Sequence, residues 1–351
     1  MLLRIGIDLR PLLDENESGV AVYTRSMLDI FMKKKNIVCD LFYQSAIESK
    51  KIQKLFPEAR HIKISNTLFH IKSLYRFQKL PENYFIKKPD LIWLPDRRPF
   101  YISSIPLVMT IHDLVPENNP ESLSLKSKIW FRIFSLNRLL ELCNGVICPS
   151  YTTASALNYN LKKVVTYEGA DLAKSEKQIA KVEKKTPFFL VISPADPRKR
   201  LDWVEKMAIE FPKANFVIAG LKNNESRFKR KRIKKLKNII FLGQFSEPEK
   251  KWLLTHTLAL LALSKNEGFD LPVLEAVKAK CPVIMSNISV HKELYKSPEC
   301  IVSDLSDLRL AIYNAIKKRG KIPKPRCEYS WEKASEKALL FFRSIVVNEN
   351  C

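Results

Sequence analysis

Short apolar runs alternate with helix-like patterns along most of the chain. The first run, Leu2–Leu9, ends in charged residues, which is typical of a buried parallel strand. After the small-residue stretch Ser18–Ala21, the segment Val22–Phe31 carries apolar residues at helical spacing. Further strands are predicted at Val38–Tyr43, Leu91–Leu94, Leu107–Ile111, Gly145–Cys148 and Lys163–Tyr167. The alternation predicts an α/β fold with a doubly wound parallel sheet.

A second alternation follows a charged segment that is rich in lysine and glutamate. This segment leads to Pro187, and we predict an interdomain linker over 171–187. The elements predicted beyond it are strand Phe188–Ser193, helix Leu201–Glu210, strands Ala214–Ala219 and Ile239–Leu242, helix Glu247–Leu254, strand Leu258–Leu263, helix Leu271–Ala279, strand Val283–Ser286 and helix Leu305–Lys317. The pattern therefore predicts domains over 1–170 and 188–330 that face each other across a cleft, the usual place for a ligand.

The last pattern is an amphipathic helix over Trp331–Val347, which no strand follows. Its apolar face needs a partner, because an isolated amphipathic helix is only marginally stable in water. The residues of that face are Ala334, Ala338, Leu339, Phe342 and Ile345. We therefore treat 331–351 as a separate C-terminal helix.

Charge and cysteine content change this picture. The formal net charge of +23 favours an anionic partner, which could be nucleic acid, a phosphate-bearing substrate or a membrane surface. A lysine-rich surface without such a role is the alternative. The seven cysteines are scattered and form no Cys-x-x-Cys pair, as in reduced cytoplasmic proteins. No apolar run approaches the roughly 18 residues that span a bilayer, and Arg4 stands too early for the apolar core of a signal peptide.

The segment Ser264–Ala276 carries the most chemical content. A predicted strand enters a glycine-bearing loop, and Pro272 then stands early in a helix, where its missing N–H is tolerated. The amides at the positive end of this helix, which suits phosphate, are those of Gly268, Phe269, Asp270 and Leu271. Glu267 and Glu275 can reach the same ligand, and a carboxylate at such a place can bind ribose hydroxyls. The alternative is that Glu267 is a solvated loop acid and that Glu275 only complements the helix dipole.

This segment closely resembles the signature of the retaining glycosyltransferases of family 4, which have the GT-B fold. The signature has a glutamate, seven residues and a second glutamate, with Gly-Phe-(Gly or Asp)-Leu-Pro between them. Other segments resemble the family in the same order along the chain: Gly6–Pro11, Ser18–Arg25, Thr110–Pro116, Gly145–Thr153, Pro197–Leu201, Pro282–Ser286 and Tyr329–Glu332. The resemblance rests on the number and the order of these strings, since each is weak by itself.

The resemblance implies a role for each candidate residue. Glu275 should hold the nucleotide ribose, and Glu267 the hydroxyls of the transferred sugar. Arg198 and Lys199 should neutralise the diphosphate, most of all when it leaves with added charge. His112 should lie beside the sugar ring or the acceptor. Amides of Gly19 and of Gly268 to Leu271 should complete the contacts. Without the family, His112 would be interpreted as a buried histidine satisfied by backbone, and Lys199 as part of a surface basic cluster.

The resemblance also implies the fold and the reaction. We expect two Rossmann-like domains, with the C-terminal helix returning to the first, acceptor-side domain. The expected donor is a nucleotide diphosphate sugar, with a preference for GDP-mannose, and the product should retain the anomeric configuration through front-side substitution. No carboxylate stands out as a nucleophile. No Asp-x-Asp stands at a strand end, so we expect neither a bound metal nor another cofactor.

Four positions depart from the family pattern. Ala21 stands where a second glycine is frequent, and Ser193 and Pro194 stand where glycine and often arginine occur. We expect Arg198 to replace the phosphate contact that this removes. Asp270 stands where glycine is commoner, so its carboxylate should turn away from the diphosphate and cap the following helix.

Basic stretches leave two interpretations open. Arg227–Lys237 could be a nucleic-acid patch or a solvated helix face. It has one aromatic residue only, which favours the solvated face, and we expect no specific nucleic-acid partner. Leu68–Leu80 and Ile129–Leu140 combine apolar and basic residues, which indicates either core packing or reversible contact with an anionic membrane. We expect a cytoplasmic enzyme, peripheral at the inner membrane face, that modifies a lipid-linked or surface glycan precursor. A GT-B epimerase and a non-catalytic nucleic-acid-binding protein are the alternatives.

Overall fold

The chain folds into two compact units in the computed structural model, which describes residues 2–13, 18–63, 85, 87–100, 105–118, 125–182, 187–192, 197–220 and 236–349. One unit contains Met1–Gly169 and Tyr329–Cys351, and the other contains Ala170–Glu328. Among the predicted features, Leu68–Leu80, Ser193, Pro194 and most of Arg227–Lys237 lie outside the described residues.

The first unit is built on a parallel sheet. Its described strands are β1 Leu3–Asp8, β2 Ile37–Ser45, β3 Arg60–Lys63, β4 Leu91–Leu94, β5 Leu107–Thr110, β6 Gly145–Cys148 and β7 Lys163–Val165. Within the described part of the chain, they lie in the order β3-β2-β1-β4-β5-β6-β7 and every pair is parallel. The described helices of this stretch are α1 Gly19–Phe31, α2 Lys50–Leu55, α3 Val115–Asn118, α4 Leu125–Ile133, α5 Leu136–Leu140 and α6 Tyr151–Ala156. The strand order reverses between β1 and β4, which makes that point the switch point of the sheet.

The second unit repeats this topology. Its described strands are β8 Phe188–Ile192, β9 Asn215–Ala219, β10 Ile239–Gly243, β11 Ala259–Ala262, β12 Val283–Ser286 and β13 Ile301–Val302. They form a parallel sheet in the order β10-β9-β8-β11-β12-β13, as far as the described residues extend. The helices are α7 Leu201–Glu210, α8 Glu247–His256, α9 Leu271–Lys278, α10 Ser289–Leu294 and α11 Leu305–Ile316. Here the switch point lies between β8 and β11, whose carboxyl ends are therefore neighbours.

Local chemistry explains where the elements differ from the predicted bounds. Helix α1 begins at Gly19, three residues before the predicted start, because the Ser18 side chain accepts a hydrogen bond from the Ala21 amide at 3.2 Å. The stretch predicted as a loop is therefore a cap and a first helical turn. Strands β3 and β13 were not predicted, because one is largely polar and the other has only two residues.

The predicted linker 171–187 lies within the second unit, since the division between the units falls after Gly169. Its described part packs against α8: the Lys177 amide donates to the Pro248 carbonyl at 3.1 Å, and Lys251 Nζ donates to the Lys174 carbonyl at 3.1 Å. Val182 is buried. This segment is thus attached to the second sheet through its neighbouring helix.

The last helix, α12 Trp331–Glu349, belongs to the first unit. It packs against α1, and its Phe342 ring lies 6.1 Å between centroids from both Phe31 and Trp93. At its start, the backbone of Trp331 lies so close to Gly169 that a Cβ on that glycine would stand 2.3 Å from the Trp331 nitrogen. Gly169 therefore permits the close approach of α12 to the end of the first segment.

We predict that Gly169→Ala lowers the free energy of unfolding by about 1–3 kcal/mol, because the added methyl group meets backbone atoms that cannot rotate away. Urea unfolding measures this. The matched control is Gly6→Ala in the same unit, whose Cβ would meet the Ile92 side chain at 3.2 Å, and it should cost less. Equal stability of the Gly169 variant and the wild type would contradict the prediction.

Candidate active site

Two loops meet at the switch point of the second sheet. One is a short 3-10 helical turn over Pro197–Lys199, which follows β8 along the chain, and the other is the loop after β11, which leads into α9. The Lys265 amide donates to the Arg198 carbonyl at 2.9 Å, so the two loops are joined by their backbones. A small recess beside β8 and β11 is lined in part by Lys199, Ser264, Asp270 and Pro272. This is the place where ligands bind in open parallel sheets.

A partly buried triad of charges occupies this junction. Arg198 NH1 donates to Glu267 Oε2 and to the Asn266 carbonyl, each at 3.0 Å. Lys199 Nζ donates to Glu267 Oε1 at 2.7 Å. The Glu267 side chain is only 9% exposed, and both of its oxygens are engaged by cations. Two cations thus share one carboxylate, which leaves the triad itself with one positive charge in excess, and the Asp270 carboxylate alongside offsets part of that charge.

Lys199 is charged in this setting despite its burial. Desolvation lowers the pKa of Lys199, but the carboxylates of Glu267 and Asp270 outweigh it and place the pKa above its ordinary value. The lysine therefore presents a permanent positive charge next to the beginning of α9. The positive end of a helix and a buried ammonium group both stabilise phosphate.

Asp270 precedes α9 in the left-handed region, with φ 69° and ψ 63°. Among the residues of α9, all of which are described, no amide donates a capping hydrogen bond to its carboxylate. The carboxylate instead accepts a hydrogen bond from His291 Nε2 at 3.0 Å. The other ring nitrogen of His291 lies 2.8 Å from the Ser286 carbonyl. Burial raises the pKa of Asp270, but Lys199 and His291 outweigh this and hold the pKa below its usual range. The prediction that the Asp270 side chain caps α9 is therefore wrong, because His291 rather than an amide of the helix is its partner.

Glu275 lies one turn into α9 and is buried against a lysine. Lys250 Nζ donates to Glu275 Oε1 at 2.7 Å and lies 2.8 Å from Glu247 Oε2. Burial raises the pKa of Glu275, and Lys250 only partly opposes this. Burial lowers the pKa of Lys250, but the two glutamates outweigh it. The carboxylate that the resemblance assigns to the ribose is therefore held by an ammonium group from α8.

His112 follows β5 in the first unit and contacts acceptors through both ring nitrogens. Nδ1 lies 3.2 Å from Glu168 Oε1, and Nε2 lies 2.8 Å from the Pro95 carbonyl. The Tyr23 ring meets the imidazole edge to face, with centroids 4.7 Å apart. Burial lowers the pKa of His112, but Glu168 outweighs it and raises the pKa above its ordinary value. The ring is thus satisfied partly by backbone, as in the alternative interpretation, and partly by a carboxylate.

The structure brings together Arg198, Lys199 and Glu267, with Asp270 alongside. Gly268 and Phe269 are buried in the loop, and Leu271 is the first residue of α9. His112 and Gly19 belong to the other unit. The roles assigned to all of these residues stay predictions.

Sequence analysis missed three partners: Lys250, His291 and Glu168. A signal existed only for Lys250, which helical spacing places on the same face as the buried Leu253 and Leu254. A cation on a buried face requires an anion nearby. His291 and Glu168 lie 21 and 56 residues from the groups they contact, and no spacing in the sequence predicts these contacts.

The chain is similar to known proteins over part of its length. Residues 173–308 match the model of the family described as glycosyl transferases group 1. An O-antigen chain mannosyltransferase of Salmonella typhimurium is 29% identical over 215 residues, which are 56% of this chain and 59% of that protein. A serotype-specific mannosyltransferase of Escherichia coli is 26% identical over 218 residues, which are 52% of this chain and 26% of that protein. The match spans less than two thirds of either relative's length.

The fold has a similar counterpart among solved structures. Sucrose-phosphate synthase from Thermosynechococcus elongatus superposes with a TM-score of 0.66 over 99% of this chain and 97% of that chain, at 16% identity. The predicted fold class, GT-B with two Rossmann-like parallel sheets, is confirmed. The family match covers β8 to α11, which includes Arg198, Lys199, Glu267 and Glu275. Over residues 173–308, which are less than half of its length, the chain is thus similar to the glycosyl transferases of group 1, as the resemblance of its motifs predicted.

Proposed function

We propose that this protein is a retaining glycosyltransferase that moves a sugar from a nucleotide diphosphate to an acceptor hydroxyl. The observation that carries the proposal is the triad of Arg198, Lys199 and Glu267 beside the start of α9. The triad has a positive charge in excess, and the helix start adds N–H groups that lack partners within the helix. A diphosphate fits both features.

The proposed reaction assigns a task to each group of the triad. The bond from the anomeric carbon to the diphosphate oxygen breaks, and the acceptor oxygen forms a bond on the same face of the sugar. The acceptor proton passes to the departing phosphate. Arg198 and Lys199 stabilise the negative charge that develops on this leaving group, and Glu267 orients both cations and the sugar hydroxyls. Because burial excludes water, these charges act more strongly than they would in solution.

We propose GDP-mannose as the donor. Two of the chain's relatives are named mannosyltransferases, which supports mannose as the sugar. A thermal-shift screen of nucleotide sugars tests the donor, since a ligand that binds the folded state raises the melting temperature. Product analysis with the best donor then separates transfer from its alternative, because an epimerase converts the donor without an acceptor.

We predict that the product keeps the anomeric configuration of the donor and that activity survives EDTA. The first expectation rests on the family signature, and the second on the lack of an Asp-x-Asp at a strand end in the sequence. NMR of the product measures the anomeric configuration directly. An inverted product, or loss of activity that only a divalent cation restores, would contradict the proposed reaction.

A lipid-linked acceptor is supported by helix α4. Its exposed apolar residues, Leu125, Ile129 and Ile133, are 76%, 54% and 42% exposed and recur every four residues. The exposed Lys128 and Arg132 lie in the same helix. Two aromatic residues of the predicted stretch Ile129–Leu140 instead face the core, where Phe134 is buried and Trp130 packs against the buried cluster. No described helix is long and apolar enough to cross a membrane.

We predict that the protein sediments with anionic vesicles at low salt and much less with neutral vesicles or at high salt. Basic residues near an anionic surface contribute on the order of 1 kcal/mol each, and salt screens that attraction. The double variant Ile129→Gln, Ile133→Gln should bind more weakly than the wild type. The matched control changes the exposed apolar pair of α11, Leu310→Gln with Tyr313→Gln, and should bind normally. Equal, negligible binding under all conditions would favour a soluble acceptor.

A further inference from the structure

The contact between His112 and Glu168 joins a partly buried histidine of the first unit to a buried acid. Glu168 is 4% exposed, whereas the His112 side chain is 17% exposed. The two residues lie 56 positions apart, one after β5 and the other after β7. A ligand can therefore reach the histidine while the carboxylate stays shielded from water.

Both ring nitrogens of His112 face groups that can only accept hydrogen bonds. One group is the Glu168 carboxylate and the other is the Pro95 carbonyl. A neutral imidazole donates through one nitrogen only, so it would leave one of these contacts unmade. The doubly protonated ring satisfies both, and a charge-assisted bond to a buried carboxylate is about twice as strong as a neutral one.

The segment that carries Glu168 is held in one conformation. Tyr167 has φ 55°, a left-handed value that is unfavourable for a tyrosine, and its ring packs 5.2 Å from that of Tyr329. Gly169 is pressed against the backbone of Trp331. Strained residues persist only where the surrounding structure fixes them, and they concentrate at functional sites. Tyr329 and Trp331, which lie just before and at the start of α12, therefore contact both neighbours of Glu168.

The other titratable groups around His112 also favour, or do not oppose, a positive charge on its ring. Asp113, the next residue, favours a positive charge on the ring. Tyr23 packs against the ring from α1, and burial raises the pKa of its hydroxyl so far that it stays neutral. The Tyr23 hydroxyl lies 3.4 Å from Thr110 Oγ1. The surroundings of His112 thus contain acids and neutral groups that stabilise a cation.

We propose that Glu168 is a positioning residue that holds His112 as a doubly protonated imidazolium. The proposal rests on the proposed transferase function and extends it to a residue outside the family signature. With a proton on each nitrogen, His112 cannot take the proton of the acceptor hydroxyl. Since both of its N–H groups are already donated, it acts instead as a positive charge towards the oxygens of the bound substrates, which leaves the departing phosphate as the proton acceptor.

The test compares Glu168→Gln with the wild type by two measurements. Proton NMR follows the pH titration of the His112 ring, whose signal is assigned with a His112→Gln variant, and it requires no activity. The pH profile of kcat/KM is then measured with the donor found by the screen. Glu141→Gln, which removes the same charge at an exposed position of the same unit, is the control.

We expect His112 of the wild type to titrate above about 6.5, the ordinary value, and to titrate lower by about one pH unit or more in Glu168→Gln. The alkaline limb of kcat/KM should shift to lower pH by the same amount, and Glu141→Gln should change neither. An unchanged His112 titration in Glu168→Gln overturns the proposal. A shifted titration with an unshifted pH profile overturns the role in transfer. A shifted titration in a protein that transfers no sugar would refute the proposed function but not the contact.

Discussion

Replacing Glu267 with glutamine should lower kcat/KM for sugar transfer by about 100- to 1,000-fold, the usual cost of losing one preorganised polar group at a reacting centre. The same change should tighten the binding of inorganic pyrophosphate. The carboxylate neutralises one of two buried cations, so its removal leaves Arg198 and Lys199 with two positive charges for an incoming anion. Anion affinity and turnover should therefore change in opposite directions.

Isothermal titration with pyrophosphate and steady-state kinetics measure the two effects of Glu267→Gln separately. Glu299→Gln removes an exposed carboxylate from the same unit and should change neither. Thermal unfolding of each variant shows whether the fold is intact. The site assignment is wrong if Glu267→Gln retains near wild-type turnover, and the account of the triad fails if its pyrophosphate affinity does not rise.

Replacing Lys250 with methionine should lower the free energy of unfolding at neutral pH by about 3–5 kcal/mol, because it strands the buried Glu275 carboxylate. The deficit should shrink as the solution is acidified. Burial already raises the pKa of Glu275, and without the ammonium group its pKa rises further. An acid whose pKa is higher in the folded than in the unfolded state stabilises the fold through its protonated form. That contribution is fully present below the unfolded pKa of about 4.3 and is lost as pH rises through the folded pKa.

Urea unfolding of Lys250→Met at several pH values between 5 and 8 tests this dependence. The deficit relative to the wild type should be greatest at the alkaline end. Lys206→Met makes the same substitution at an exposed position of α7 and should have little effect at any pH. A deficit that does not vary with pH would mean that lost packing, rather than a stranded charge, explains the cost.

Sequence patterns were sufficient for the architecture because a parallel sheet imposes strong local constraints. Buried strands such as β4 and β11 have to be continuous apolar runs, and the loops at their carboxyl ends have to meet. The family resemblance assigned Arg198 and Glu267 to one bound donor, and the two side chains do contact each other at 3.0 Å. Which atoms contact each other depends on loop conformation, and no periodicity encodes that.

Two residues show where sequence patterns become insufficient. Asp270 was expected to cap α9, but its left-handed backbone directs the carboxylate towards His291. Glu168 gave no signal at all, because its partner comes from another strand end and its position depends on the neighbouring α12. In both cases a tertiary contact decides the direction of a side chain, and local propensity does not.

The first unit is built from two separate stretches of the chain, one before and one after the second unit. It can therefore finish folding only after the second unit has been synthesised. Ribosomes add about 5–20 residues per second, so α12 follows the strands it covers only after the whole second unit has been made. For roughly 12–50 seconds at that rate, Phe31 and Trp93 lack the Phe342 ring that later packs beside them. The second sheet can close on itself during this interval, whereas the first waits for the last residues to emerge. A nascent chain that stalls before Trp331 would therefore display an incomplete apolar surface on the part that was synthesised first, which makes this stage the one most exposed to aggregation.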